Sequence, residues 1–85
     1  MVINMIMIDI RDAHEYKMGH ITNSINIPKD LLELVPDKYL NKKDTYILYC
    51  DSGPNSQKLS TGLNKLGYHT KYLDGGYTKW LKNNL

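Results

Sequence analysis

Residues 45–56 read TYILYCDSGPNS, and the change of character inside this stretch decides the fold. Thr45 to Cys50 is β-branched, aromatic and almost continuously apolar, which predicts a strand buried on both faces. Asp51 to Asn55 is rich in Ser, Gly and Pro and reads as a turn. Ser56 to Leu66 then places Leu59, Leu63 and Leu66 at helical spacing, which predicts a helix with one buried stripe. Gly67 stands where a C-terminal glycine cap belongs.

The flanking segments continue the alternation. Ile3 to Ile10 suits a strand, and Asp12 to Met18 a short charged helix with Asp12 as N-cap and Glu15 three residues on. Ser24 to Ile27 is a short strand closed by Pro28. Lys29 to Val35 is helical, with Leu31, Leu32 and Leu34 available for burial, until Pro36 redirects it. Asp37 to Leu40 is a further turn of helix. His69 to Leu73 is a strand, and Asp74-Gly75-Gly76 leads into a last helix through Trp80, whose indole is expected to anchor it in the core. Strands alternating with helices predict an α/β fold: a small open parallel sheet of four to five strands with helices on both faces.

The chain has 85 residues, with no linker, repeat or low-complexity stretch, so residues 1–85 are read as a single domain. The net charge of +2 comes from ten scattered lysines and one arginine, which gives no footprint for nucleic acid. The apolar start, Met1 to Ile8, is too short for a membrane span and lacks the basic segment of a signal peptide. A single cysteine excludes an internal disulfide and a cysteine-built metal or iron–sulfur site within one chain. A lone thiol and no export signal together predict a cytoplasmic protein.

That cysteine sits where chemistry is expected. Ligands of open parallel sheets bind beyond the carboxyl ends of the strands, and Cys50 is at such an end. The first N–H groups of the following helix have no internal partner and lie at the positive end of its dipole. Gly53 permits the φ > 0 that a curved nest of amides needs. A thiolate at the centre is stabilised and the thiol pKa falls; the same cradle suits a persulfide. The bland alternative, a cysteine merely buried at a strand end, stays open on these residues alone.

Three ordered blocks change that balance. Asp9-Ile10-Arg11-Asp12 with Glu15-Tyr16, Gly19-His20-Ile21 and Ser24 to Pro28 resembles the first signature of the rhodanese family. Tyr49 to Ser56 resembles its active-site loop, Cys-x-x-Gly-x-x-Ser, and Leu66-Gly67-Tyr68 with Leu73 to Gly76 and Trp80 its closing signature. The resemblance implies that Cys50 is the persulfide-forming nucleophile of a sulfurtransferase that requires no metal or organic cofactor. The loop amides of Asp51, Ser52, Gly53, Asn55 and Ser56 would bind the transferred sulfur. The implied partners are a small-molecule sulfur donor and a thiol acceptor, or a sulfur-accepting protein.

The sequence also departs from the family pattern. Many relatives carry a basic residue where Asn55 stands, whereas here the loop has none, Pro54 removes an N–H, and Asp51 adds a negative charge beside the nucleophile. These features predict weak thiosulfate use or another persulfide donor. Lys58 is a candidate replacement for the missing charge. The usual strand and helix ahead of the Asp-x-Arg segment are reduced to a few residues, which leaves one sheet edge exposed or paired with another chain.

Arg11 reads as a pocket cation or, more ordinarily, as a structural ion pair with Asp12 or Glu15. Asp9 reads as a buried hydrogen-bond acceptor and His20 as scaffold rather than general base. Tyr49 and Tyr77 are candidates to line the pocket. A Cys-x5-Arg phosphatase is disfavoured because Ser56 occupies the arginine position. A non-catalytic binding module and a redox sensor or persulfide relay remain as alternatives.

Overall fold

A computed structural model describes residues 5–85. Among these residues four strands form one parallel sheet: β1 (Met5–Asp9), β2 (Ile25–Asn26), β3 (Thr45–Tyr49) and β4 (His69–Tyr72), in the order β2-β1-β3-β4. The helices are α1 (Ala13–Met18), α2 (Lys29–Leu34), α3 (Pro36–Tyr39), α4 (Pro54–Lys65) and α5 (Gly76–Asn83). Ile3 and Asn4 of the expected first strand lie outside the described residues. No described helix is long and apolar enough to cross a membrane.

The strand order explains where a site can form. From β1 the chain crosses outward to β2, then returns to place β3 on the other side of β1, paired from Met5 opposite Thr45 to Asp9 opposite Tyr49. Successive crossovers therefore leave in opposite directions at the β1/β3 boundary, and a crevice opens at its carboxyl end. Arg11 follows β1 there, and Cys50 follows β3.

Alternation along the strands sorts the side chains. Ile8, Ile10, Tyr46, Leu48 and Cys50 face α2 and α4, where Leu32, Leu59, Leu63 and Tyr68 complete the core. Asp9 and Tyr49 face the other way and are fully buried. On that side the Tyr49 ring packs against Tyr77 of α5, with centroids 6.4 Å apart.

Helix α4 begins at Pro54, two residues earlier than the expected Ser56. Proline at the first helical position forfeits only an N–H that had no intrahelical partner, and Gly53 before it takes a φ of 120°. The helix closes as expected at Gly67, with Tyr68 N–H donating to Leu63 O at 3.2 Å and Gly67 N–H to Asn64 O at 3.1 Å. The far side of α4 is pinned to β4: Thr70 N–H donates to Asn64 Oδ1 at 2.8 Å, and the Ser60 and Thr70 hydroxyls bond to each other.

Four burial expectations fail. Leu31 and Leu34 are 43% and 79% exposed, because the six-residue α2 turns only the face with Leu32 to the core. Leu66 is 58% exposed because it is the C-cap, past the last full turn. Trp80 is outside the core; half-buried, it stacks on Tyr77 at 5.9 Å.

Candidate active site

Cys50 is the first residue beyond β3 and is buried. Gly53 N–H donates to its Sγ at 3.2 Å, and the amides of Ser52 and Ser56 also point to the sulfur. The Cys50 thiol donates to the Ser56 hydroxyl at 3.5 Å, and that hydroxyl donates to Gly53 O at 2.9 Å. Burial raises the thiol pKa, but the Ser56 hydroxyl and the amides of Ser56, Gly53 and Ser52 outweigh it and bring the pKa below its ordinary value. The first intrahelical bond of α4 runs from Gln57 N–H to Gly53 O at 2.9 Å. Ser56 therefore sits in the first turn, whose N–H groups are free to face a ligand. Of the five loop amides singled out in the sequence, Ser52, Gly53 and Ser56 thus converge on the sulfur. Those of Asp51 and Asn55 make no bond to it among the described residues.

The loop is held from outside by an element that sequence reasoning did not connect to it. Tyr77 N–H donates to Cys50 O at 2.8 Å and Thr78 N–H to Asp51 O at 3.0 Å. The free amides of the first turn of α5 thus draw the loop carbonyls outward, which leaves the loop amides turned toward the sulfur. This contact requires Gly76. Its φ is 58°, and a Cβ there would collide with Cys50 O and lie 2.7 Å from Asp51 O. The Gly75-Gly76 pair was the available signal.

Arg11 is buried beside this loop, and its ion pair is with Asp9, not with the expected Asp12 or Glu15. Nη2 donates to Asp9 Oδ2 at 2.8 Å and to Gly19 O at 2.7 Å. Strand alternation explains the partner, since residues two apart share a face. The guanidinium also lies 4.3 Å from the Tyr77 ring centre and 3.5 Å from Asp51 Oδ1. Burial works against its charge, but the bond and charge of Asp9, with Tyr49 and Asp51 adding, push its pKa above its already high value. Arg11 therefore organises the crevice and tethers the side chain that follows Cys50. Near that side chain Glu15 has a raised pKa, through partial desolvation and then the negative charges of Asp51 and Asp12.

Tyr49 is a clamp and not an open pocket wall. Its hydroxyl accepts from Ile21 N–H at 3.1 Å and pairs with Ser24 Oγ at 2.9 Å. Burial pushes its pKa up to about 12. Tyr77 does line a cavity, of about 330 Å³, with Arg11, Glu15 and Gly19. His20 stacks on Tyr16 and bonds Tyr16 O through Nδ1 at 2.8 Å, which is a scaffold contact. Asp12 caps α1 by accepting from Glu15 N–H at 2.8 Å. Lys58 is not brought to Cys50; it lines a groove between α2 and α4. A cavity of about 780 Å³ lies at the amino ends of the strands beside Met5, Thr45 and His69, away from the thiol.

Comparison with known proteins bears on the fold that carries this thiol. The family model of the rhodanese-like domain matches residues 2–83. The chain belongs to the rhodanese-like domain family. Thiosulfate sulfurtransferase 16, chloroplastic, of Arabidopsis thaliana is 33% identical over 92% of this chain and 75% of its own length. Thiosulfate sulfurtransferase PspE of Escherichia coli is 34% identical over 72% of this chain and 60% of its own. The tRNA uridine(34) hydroxylase of Buchnera aphidicola is 28% identical over 94% of this chain, which spans only 28% of that protein. Among solved structures, a rhodanese-related protein from Thermoplasma volcanium superposes with a TM-score of 0.84 at 30% identity, covering 93% of this chain and 78% of that one.

Proposed function

We propose that this rhodanese-like domain is a sulfurtransferase that carries sulfur as a persulfide on Cys50. The observation that carries the reading is the convergence of the Ser52, Gly53 and Ser56 amides and the Ser56 hydroxyl on one sulfur atom. Such a cradle stabilises a thiolate once the Ser56 hydroxyl turns its proton from Gly53 O to the sulfur, and it suits the anionic terminal sulfur of a persulfide. The thiosulfate sulfurtransferases among its relatives point the same way.

The chemistry is covalent catalysis in two balanced halves. The Cys50 thiolate attacks the outer sulfur of a donor X–S⁻; a sulfur–sulfur bond forms on Cys50 as the bond to X breaks. When the donor is thiosulfate, the bonding pair leaves with sulfite. An acceptor thiolate then attacks the terminal persulfide sulfur, takes it as R–S–S⁻, and returns the electron pair to the Cys50 thiolate. No net oxidant or reductant is consumed. Asp51 carries its negative charge beside the mouth, and the Arg11 charge is already shared with Asp9. The preferred donor is therefore a thiol persulfide, small or protein-borne, with thiosulfate, a dianion, used poorly.

A second reading, a rhodanese-like binding module without turnover, draws on the absence of any basic side chain among residues 51–56. One experiment separates the two. Intact mass is measured after incubation with thiosulfate or with a thiol persulfide, for the wild type and Cys50→Ser. A reducible gain of one sulfur atom, absent from the variant, establishes the carrier. No gain from either donor leaves the binding module.

A further inference from the structure

The sheet has two free edges, and only one is long enough to pair. β2 has two residues, and an edge that short offers little to another strand. β4 has four residues, and among the described residues no strand lies on its outer side. Leu73 N–H donates to Leu48 O of β3 at 2.9 Å. Backbone groups alternate in direction along a strand, so His69 and Lys71 also turn theirs toward β3. Thr70 and Tyr72 turn theirs outward.

The outward row is stopped at Thr70. Asn64 Oδ1 accepts from Thr70 N–H at 2.8 Å, and Asn64 Nδ2 donates to Thr70 O at 3.0 Å. One side chain thus makes both bonds that a residue of a neighbouring strand would make. Asparagine can do this because its amide carries the same donor and acceptor as the backbone. Helix α4 itself gains nothing from the residue. Asn64 is exposed in the last turn, and asparagine is a poorer helix former than alanine. Of the outward residues of β4, Tyr72 remains open, and it is 36% exposed.

The consequence lies in the pairing available to a second copy of the chain. Two β4 edges meeting antiparallel would set Thr70 of each copy against Tyr72 of the other, each pair exchanging both its N–H···O bonds. Asn64 withdraws Thr70 from both pairs. In the same register the two Lys71 residues stand opposite one another, where like charges are unfavourable. We propose that Asn64 is a latch on the sheet edge: it takes the place of a neighbouring strand at Thr70 and, with Lys71 as a second guard, keeps the chain from pairing with its own copy. The proposal is independent of the sulfur chemistry of Cys50.

The test measures molar mass by light scattering over a range of concentrations. Lys71→Thr serves as the background, so that charge repulsion does not mask the latch. Wild type and Lys71→Thr should stay monomeric, and Asn64→Ala/Lys71→Thr should approach twice the monomer mass. Adding Tyr72→Pro removes an outward N–H without touching the ladder to β3, and it should restore the monomer. Circular dichroism reports whether each variant is folded. A second measurement needs no variant: in the ¹⁵N-labelled wild type the Thr70 amide should exchange with deuterated water more slowly than that of Tyr72, by about fivefold or more. A folded double variant that stays monomeric, a Lys71→Thr protein that already dimerises, or a dimer that survives Tyr72→Pro would overturn the latch. So would a dimeric wild type with a protected Tyr72 amide. Should the double variant not fold, the wild-type amides decide. Slow exchange at Thr70 alone upholds the latch, and equal exchange at the two positions overturns it.

Discussion

Cys50 is pulled two ways, and the balance sets its reactivity. Burial disfavours the thiolate, and three amides with one hydroxyl favour it more. The rate of alkylation by iodoacetamide should reach half-maximum at a pH below that of a free cysteine, about 8.5. Ser56→Ala should move the midpoint upward, and a rise of about one pH unit removes about nine tenths of the thiolate at neutral pH. The sign for stability follows. A depressed folded pKa contributes stability above the unfolded value and loses it as pH falls through the folded one. The stability of wild type relative to Cys50→Ser should therefore increase as pH rises toward the free-cysteine value of about 8.5. Asp51 acts on the donor. A unit charge at contact distance in water is worth about 1 kcal/mol, so Asp51→Asn should raise kcat/KM for thiosulfate about fivefold or more. A thiol persulfide, a monoanion, should gain less than the thiosulfate dianion. Equal effects on both donors in steady-state assays would contradict this role for Asp51.

Elements built from local pattern were the readable ones. The run from Thr45 to Tyr49 and the Leu59/Leu63 spacing carry their own periodicity, and Gly67 announces the end of α4. The true start of α4 was also written locally, as a glycine N-cap before a first-turn proline, but the leucine spacing drew attention downstream. The contact of α5 with the Cys50 loop joins residues some 27 positions apart in sequence, and no periodicity encodes such a contact. The exposure of Leu31, Leu34 and Leu66 was unreadable for a related reason: composition says a leucine can be buried, and helix length decides whether it is. Two substitutions probe this scale. Gly76→Ala forces a left-handed φ on alanine, costing about 1–2 kcal/mol, and drives its Cβ into the Cys50 and Asp51 carbonyls. It should lower Tm and raise the thiol pKa together. Asp12→Ala removes the cap of a six-residue helix and should cost about 1 kcal/mol in urea unfolding, with little effect on the thiol.

For the molecule as a whole, size makes each buried polar contact count. A domain of this length has a total stability of only about 4–13 kcal/mol. Asp9→Ala would leave the buried Arg11 guanidinium without its carboxylate, a loss of about 3–5 kcal/mol. We expect that variant to be largely unfolded near 37 °C by circular dichroism, where Asp9→Asn, which keeps an acceptor, retains more structure. The same economy governs how the parts depend on one another. Cys50 lies well before the amides of Tyr77 and Thr78 that tension its loop. During synthesis the cysteine emerges well before the segment that arms it. A chain still on the ribosome, or clipped ahead of Gly76, would carry an ordinary thiol. The setting of the thiol is thus assembled only once the segment around Tyr77 has been made and has docked on the loop.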